Sequence, residues 1–458
     1  MSQDTIAAIA TAMSSAGIGI VRISGKEAFS IAEKVFRPQN KEKRLSREAG
    51  YTMHYGTLWD EERMLDEVLV LLMRGPHSYT AEDTVEISCH GGILIMRRIL
   101  EAVLKKGARL AEPGEFTKRA FLHGRIDLSQ AEAVMDLIEA ENEMAQRSAL
   151  SQLQGSLQKK IRELRKAVLH EIAFIEAALD DPEHMSLEGY PQSLEGMIQD
   201  WLKEIKKMLL SHENGRMLKE GIKTVIVGKP NAGKSSLLNV LLGEERAIVT
   251  EVAGTTRDVL EEHMQLGDIH LNILDTAGIR STEDQVEKIG VSRAVEHMRD
   301  ADLVLYVIDS SVPLTKEDEM IMNLLEGKKA VVLLNKSDLT NVVTKKEMED
   351  RLQQPVLSIS AREEQGMEDL EMLIRDLFFQ GEISFHNEIL ITNLRQKRLL
   401  EDAKESLCLV LESISHGMPE DFYSIDLMNA YSFLGKILGE EVEEDLVEEI
   451  FGRFCIGK

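Results

Sequence analysis

The octapeptide Gly228-Lys229-Pro230-Asn231-Ala232-Gly233-Lys234-Ser235 narrows the possible folds of this 458-residue chain more than any other feature. It fits G-x-x-x-x-G-K-[ST], follows the apolar run Lys223–Val227 and precedes a helical stretch at Ser236–Leu242. The pattern needs that strand–loop–helix setting. Glycines let backbone N–H groups approach phosphate oxygens, and the start of a helix adds the positive end of its dipole. Lys234 can reach β- and γ-phosphates, and Ser235 can ligand Mg²⁺. Further short apolar runs at Ile269–Leu274, Leu303–Ile308, Ala330–Leu334 and Val356–Ile359 alternate with helical stretches. This predicts an α/β domain with a parallel sheet and crossover helices.

Three features follow in the order that a Ras-like GTPase needs. Asp275-Thr276-Ala277-Gly278 ends the run HLNILD, so its aspartate can hold Mg²⁺ through water and its glycine N–H can sense a γ-phosphate. Asn335-Lys336-Ser337-Asp338 ends AVVLLN, and a carboxylate there accepts two hydrogen bonds from guanine N1 and N2, which adenine does not supply. Ser360-Ala361 after VLSI supports the guanine carbonyl. Between the first two, Gly254-Thr255-Thr256-Arg257-Asp258 offers a switch threonine, Thr256, for Mg²⁺. Ras-type proteins place a glutamine soon after this glycine. Here Gly278 is followed by Ile279 and Arg280, which leaves Glu283, Asp284 and Glu287 as candidates to orient water, unranked by the residues alone. The missing positive charge must come from Arg257, a partner or a monovalent cation.

The length suits about three domains. Residues 1–120 mix short strands and helices, an α+β module with strands at Ile18–Ile23, Val68–Met73 and Thr84–Ser88 and a helix at Gly91–Lys105. Ser24-x-x-Glu27 and Ser129-x-x-Glu132 read as capping boxes. Leu153, Leu157, Ile161, Leu164, Val168, Ile172, Ile175 and Leu179 predict one long amphipathic helix, stopped at Asp180-Asp181-Pro182, with another at about Leu194–Leu210. Helical periodicity returns after Gln380, on Leu399–Ile414 and Leu427–Leu438. The favoured arrangement is one helical domain, 121–215 with 381–458, into which the α/β domain at 216–380 is inserted; two separate bundles are the alternative. The net charge of −25 excludes a generally basic surface, so any contact with nucleic acid is local or shared. Three cysteines without a C-x-x-C pair, no basic leader and no run of about 18 apolar residues fit a cytoplasmic protein with no membrane span.

GKPNAGKSSLLN, VAGTTRD, DTAGIR and NKSDL resemble the motifs of the TrmE–Era group of translation GTPases, and Pro113–Ile138 (PGEFTKRAFLHGRIDLSQAEAVMDLI) with the tail Phe454–Lys458 (FCIGK) narrows the resemblance to the MnmE (TrmE) family of tRNA-modification GTPases, over the whole chain. The resemblance implies a multidomain protein: a folate-binding-like dimerisation domain, a helical domain and an inserted Ras-like G domain. It implies a homodimer that works with MnmG, an FAD- and NADH-using protein, in a heterotetramer or larger complex. Together they would add an aminomethyl or carboxymethylaminomethyl group at C5 of wobble uridine 34 of certain tRNAs, with a one-carbon unit from 5-formyl- or methylene-tetrahydrofolate. K⁺ would stimulate hydrolysis by joining the G domains.

Position by position, the GTP set becomes Asn231, Ala232, Gly233, Lys234, Ser235, Ser236, Thr250, Thr255, Thr256, Asp275, Thr276, Ala277, Gly278, Asn335, Lys336, Asp338, Ser360 and Ala361. Mg²⁺ falls to Ser235 and Thr256, and K⁺ to Asn231, Thr250, Val252 and Thr255. Lys234, Thr256 and Glu287 carry catalysis, with Glu287 matching the family's water-orienting glutamate. Folate contacts fall on Arg22, Glu86, Arg125 and Lys458; some relatives have lysine at Arg125, which keeps charge but changes geometry. Cys455 matches the tail cysteine. Without the resemblance, Arg22 reads as a solvated strand residue, and a ribosome-assembly GTPase of the Era or Der type is the competing function, though such proteins often carry a basic RNA-binding domain.

Overall fold

A computed structural model describes residues 4–140, 142–243, 262–267, 269–274, 298, 301–379, 391–440, 444–452, 454 and 457. The chain divides into two compact units: Met1–Ile138, Leu150–Leu202 and Leu399–Lys458 form the first, Glu139–Ala149 and Lys203–Arg398 the second.

The first unit opens with β1 (Ile6–Ile9), β2 (Ala16–Ser24), α1 (Ala28–Val35), β3 (Phe36–Pro38), β4 (Thr52–Asp60), β5 (Arg63–Met73), β6 (Thr84–Gly91), α2 (Ile93–Lys105) and β7 (Arg109–Leu110). The sheet order is β3-β4-β5-β6-β2-β1-β7, antiparallel except for the β1–β7 pair. On β5, Val68, Val70 and Leu72 are buried while Glu67 and Leu69 are exposed, the period of two that a one-sided sheet requires. These residues pack with Ile31 and Val35 of α1 and Met96, Ile99 and Val103 of α2.

Ser24 does not cap α1. It closes β2, fully buried, and its hydroxyl donates to Glu82 Oε2 at 2.8 Å and shares 2.7 Å with Thr80 Oγ1. The left-handed turn at Gly25 (φ 133°) separates strand from helix, so a serine in the sheet is out of reach of the helix start.

Next come α3 (Glu115–Leu122) and α4 (Leu128–Glu139). The box at the second of these is Asp127 with Gln130, in place of Ser129 with Glu132. Asp127 Oδ1 accepts from Gln130 N at 2.9 Å, and Gln130 Oε1 accepts from Asp127 N at 3.0 Å. Ser129 lies inside the helix and donates to the same carboxylate at 2.6 Å. The expected single long helix is two, α5 (Glu143–Leu153) and α6 (Ser156–Asp180), because Gly155 at φ 87° ends the first before the second begins. Leu157, Ile161, Leu164, Val168, Ile172 and Ile175 are buried along α6, whereas Leu179 is exposed. The following α7 (Tyr190–Glu220) runs longer than its apolar pattern predicts.

The second unit is built on β8 (Ile222–Val227), α8 (Lys234–Leu242), β9 (Glu262–Leu266), β10 (Ile269–Ile273), β11 (Leu303–Asp309), α9 (Lys316–Leu324), β12 (Ala330–Asn335), α10 (Lys345–Leu352), β13 (Val356–Ser358) and α11 (Met367–Phe379). The order β13-β12-β11-β8-β10-β9 is parallel apart from the β9–β10 pair. Both faces are covered, so β11 and β12 read as continuous apolar runs. The predicted parallel strands are all present. β9, EHMQL, has no apolar run to betray it.

The chain completes the first unit with α12 (Leu394–Ser415), α13 (Glu420–Leu438) and α14 (Glu444–Gly452), the last not foreseen from the sequence. Phe451 and Phe454 pack with Ala120, Ile126, Leu128 and Ala131. Among the described residues no helix is long and apolar enough to cross a membrane.

Asp127→Ala removes a helix cap and will lower the stability of the first unit by about 1 kcal/mol. Urea unfolding followed by circular dichroism checks this; an unchanged midpoint would contradict the assigned cap.

Candidate functional site

The phosphate loop leaves β8 at the carboxyl edge of the parallel sheet, where open α/β folds bind ligands. Its shape depends on residues with positive φ: Gly228 at 152°, Asn231 at 63° and Gly233 at 100°. A Cβ on Gly228 would strike the Val307 carbonyl, and one on Gly233 would strike the Asn335 side chain. Lys234 opens α8, and its Nζ donates to the Gly228 and Lys229 carbonyls at 2.7 Å each. Burial pushes the Lys234 ammonium below the ordinary lysine pKa. A partly desolvated cation among glycine amides at a helix start suits an anionic ligand.

The other end of the site is assembled by Asn335, at the end of β12 and 2% exposed. Its Nδ2 donates to Ala232 O at 2.9 Å, and its Oδ1 accepts from Ala361 N at 3.0 Å. One carboxamide therefore ties the phosphate loop to the Ser360-Ala361 turn. Ser360, fully buried, donates to Asp338 Oδ1 at 2.7 Å. That fixes one oxygen of the exposed carboxylate. Lys336, at φ 63°, donates to Asp309 Oδ2 at 2.5 Å. Burial raises the Asp309 pKa, but the donors Lys336 and Ser311 outweigh it and hold the carboxyl below the usual range. Asp309 was missed in the sequence, although it terminates the apolar run LVLYVID as Asn335 terminates its own.

In the first unit, Arg22 of β2 pairs with Glu86 of β6 at 2.8 Å, across the register that sets the two opposite each other. Arg22 is thus paired rather than merely solvated. Its guanidinium also donates to Gly457 O at 3.1 Å and lies 5.5 Å from the Phe116 ring and 5.6 Å from the Tyr79 ring. Arg125 lies 4.7 Å from the same Tyr79 ring, whose hydroxyl sits 2.9 Å from Thr117 Oγ1. Arg22, with Glu86 as its partner, and Arg125 therefore meet at Tyr79, a residue the sequence did not single out. Cys89, also on β6, is buried and its thiol is pushed up to about 11, chiefly by burial, so it is chemically quiet.

Thr250, Val252, Gly254, Thr255, Thr256, Arg257, Asp258, Asp275, Thr276, Ala277, Gly278, Glu283, Asp284, Glu287, Cys455 and Lys458 lie outside the described residues.

Two family descriptions match the chain: "GTP-binding protein TrmE N-terminus" over residues 5–125 and "MnmE helical domain" over residues 128–455. The chain is 55% identical to a tRNA modification GTPase MnmE of Lachnoclostridium phytofermentans, over 100% of both chains. It is 48% identical to proteins of that name from Thermoanaerobacter pseudethanolicus and Clostridioides difficile, each over 99% of both chains.

Asp338→Asn exchanges an acceptor for an amide that faces the guanine N2 donors with donors of its own. GDP binding should weaken at least about 100-fold, the worth of two hydrogen bonds to a charged group, and binding of xanthosine diphosphate, which carries a carbonyl at C2, should improve. Titration with fluorescent analogues of both nucleotides checks the pair of effects.

Proposed function

Because the chain belongs to the MnmE family of tRNA-modification GTPases, we propose that its GTP hydrolysis is stimulated by K⁺ through pairing of G domains and serves, with MnmG, the C5 modification of wobble uridine 34. The observation that carries the nucleotide chemistry is the Asn335 carboxamide, which sets the phosphate loop and the guanine-reading carboxylate at one spacing. The glycine cradle and the desolvated Lys234 fit a nucleoside triphosphate. Ser235 and Thr256 would hold Mg²⁺; Asn231 with backbone oxygens of Thr250, Val252 and Thr255 would hold K⁺. When bound, these cations would supply charge that neutralises the phosphates.

The chain's own residues divide the remaining work. Lys234 offers its remaining N–H donor to phosphate oxygens, and Glu287 orients the attacking water. Asp338 selects guanine. Around Tyr79, Arg22 and Arg125 present two guanidiniums to the carboxylates of a tetrahydrofolate derivative, and Glu86 both pairs with Arg22 and offers an acceptor to the pterin. Lys458 would join them, since the carbonyl of the preceding residue already accepts from Arg22. The domain assignment that goes with this function is a folate-binding dimerisation domain at 1–120, a helical domain from 121–215 and 381–458, and the G domain at 216–380, in a cytoplasmic homodimer that contacts tRNA.

Hydrolysis should run at least several-fold faster in KCl than in NaCl at equal ionic strength, and Glu287→Ala should keep GTP affinity while turnover falls about 100-fold or more. Phosphate-release assays in the two salts check both; equal rates would remove the cation role, and normal turnover would move the water to Glu283 or Asp284. In a strain lacking this protein, mass spectrometry of tRNA should find U34 unmodified at C5. Intact U34 together with defective ribosomal subunits would favour the Era or Der type of role.

A further inference from the structure

Lys229, the second residue of the phosphate loop, plays no part in the motif's chemistry, yet its side chain is only 14% exposed. Its ammonium lies 2.6 Å from Asp318 Oδ2 and 3.2 Å from Thr315 Oγ1. Asp318, 1% exposed, sits in the first turn of α9, where the same oxygen accepts from Thr315 N at 2.7 Å and Thr315 Oγ1 at 3.0 Å. Its other oxygen accepts from the Tyr306 hydroxyl of β11 at 3.1 Å. Burial pushes the Asp318 carboxyl up, but Lys229 and Thr315 outweigh burial and hold it below the usual carboxylate range, so it is charged at neutral pH.

The helix start does not require this cation. Thr315 and Tyr306 already supply Asp318 with three donors, and a capping carboxylate needs no more. The loop is the party that gains. Lys234 holds the carbonyls of Gly228 and Lys229 with two of its three N–H donors. That tie is internal to the loop, whereas the Lys229–Asp318 pair holds the loop's entry against α9 and β11. Loss of Asp318 strands the largely buried Lys229 ammonium, so the loop is the side that depends on the tie.

We propose that Lys229 and Asp318 are a positioning pair for GTP binding, an anchor that keeps the phosphate loop in its binding shape. The pair acts on nucleotide affinity through the loop and touches neither the base nor the reacting water.

The test uses the full-length protein with Mg²⁺ and K⁺, a fluorescent GDP analogue for binding and phosphate release for turnover. Lys229→Met and Asp318→Asn should each raise the GDP Kd and the GTP KM about 10-fold with a change in kcat below about two-fold, a pattern of uniform binding lost. Lys229→Arg should stay within about three-fold of the parent in KM. The double variant should be no worse than the weaker single, because both remove one interaction. Tyr306→Phe, which removes a donor from the same carboxylate without touching the loop, should leave KM within about two-fold. Parental affinity in Lys229→Met, additive effects in the double variant, a fall in kcat at fixed KM, or an equal KM rise in Tyr306→Phe would each overturn the proposal. Lys229→Met decides the matter even if Asp318→Asn fails to fold.

Discussion

Everything in the nucleotide site hangs on one buried carboxamide. Asn335 spends its donor on the phosphate loop and its acceptor on the turn at Ala361, so the two loops are held at one spacing by a single side chain. Each bond alone is worth about 1 kcal/mol in stability. Their value lies in preorganisation: the spacing is fixed before ligand arrives, so ligand need not supply the ordering cost. The parallel sheet delivers the parts, because β8 and β12 end on the same edge and loops leaving that edge converge.

Much of this was legible in the sequence. The glycine pattern of the phosphate loop is a backbone requirement, since positive φ and close approach exclude most side chains, and such requirements are written directly in residue identity. The apolar runs of β8, β11 and β12 were equally plain, because strands buried on both faces have no polar alternation to blur them. What stayed hidden was of another kind. β9 is a half-exposed edge strand whose EHMQL lacks a hydrophobic signature. Asp309, Asp318 and Tyr79 matter through partners distant in sequence, and no local pattern reports those.

The two misread capping boxes carry the same lesson. Ser24 and Ser129 both fit the spacing, yet a strand claims the first and a helix interior the second. Competing hydrogen bonds decided each case: Thr80 and Glu82 for Ser24, Asp127 for Ser129. The split of the expected long helix at Gly155 came from backbone conformation overriding an apolar period that continues across the break. Local propensity sets the options, and tertiary partners choose among them.

The hydrogen bond from Arg22 to the carbonyl of Gly457 spans 435 positions of the chain. A ribosome adding about 5–20 residues per second would need roughly 20–90 s to traverse that interval. Throughout it the nascent N-terminal module stands without Phe451 and Phe454 over Ala120 and Ile126, and without that polar tie. The module must therefore persist alone while that interval is made, with an apolar patch uncovered.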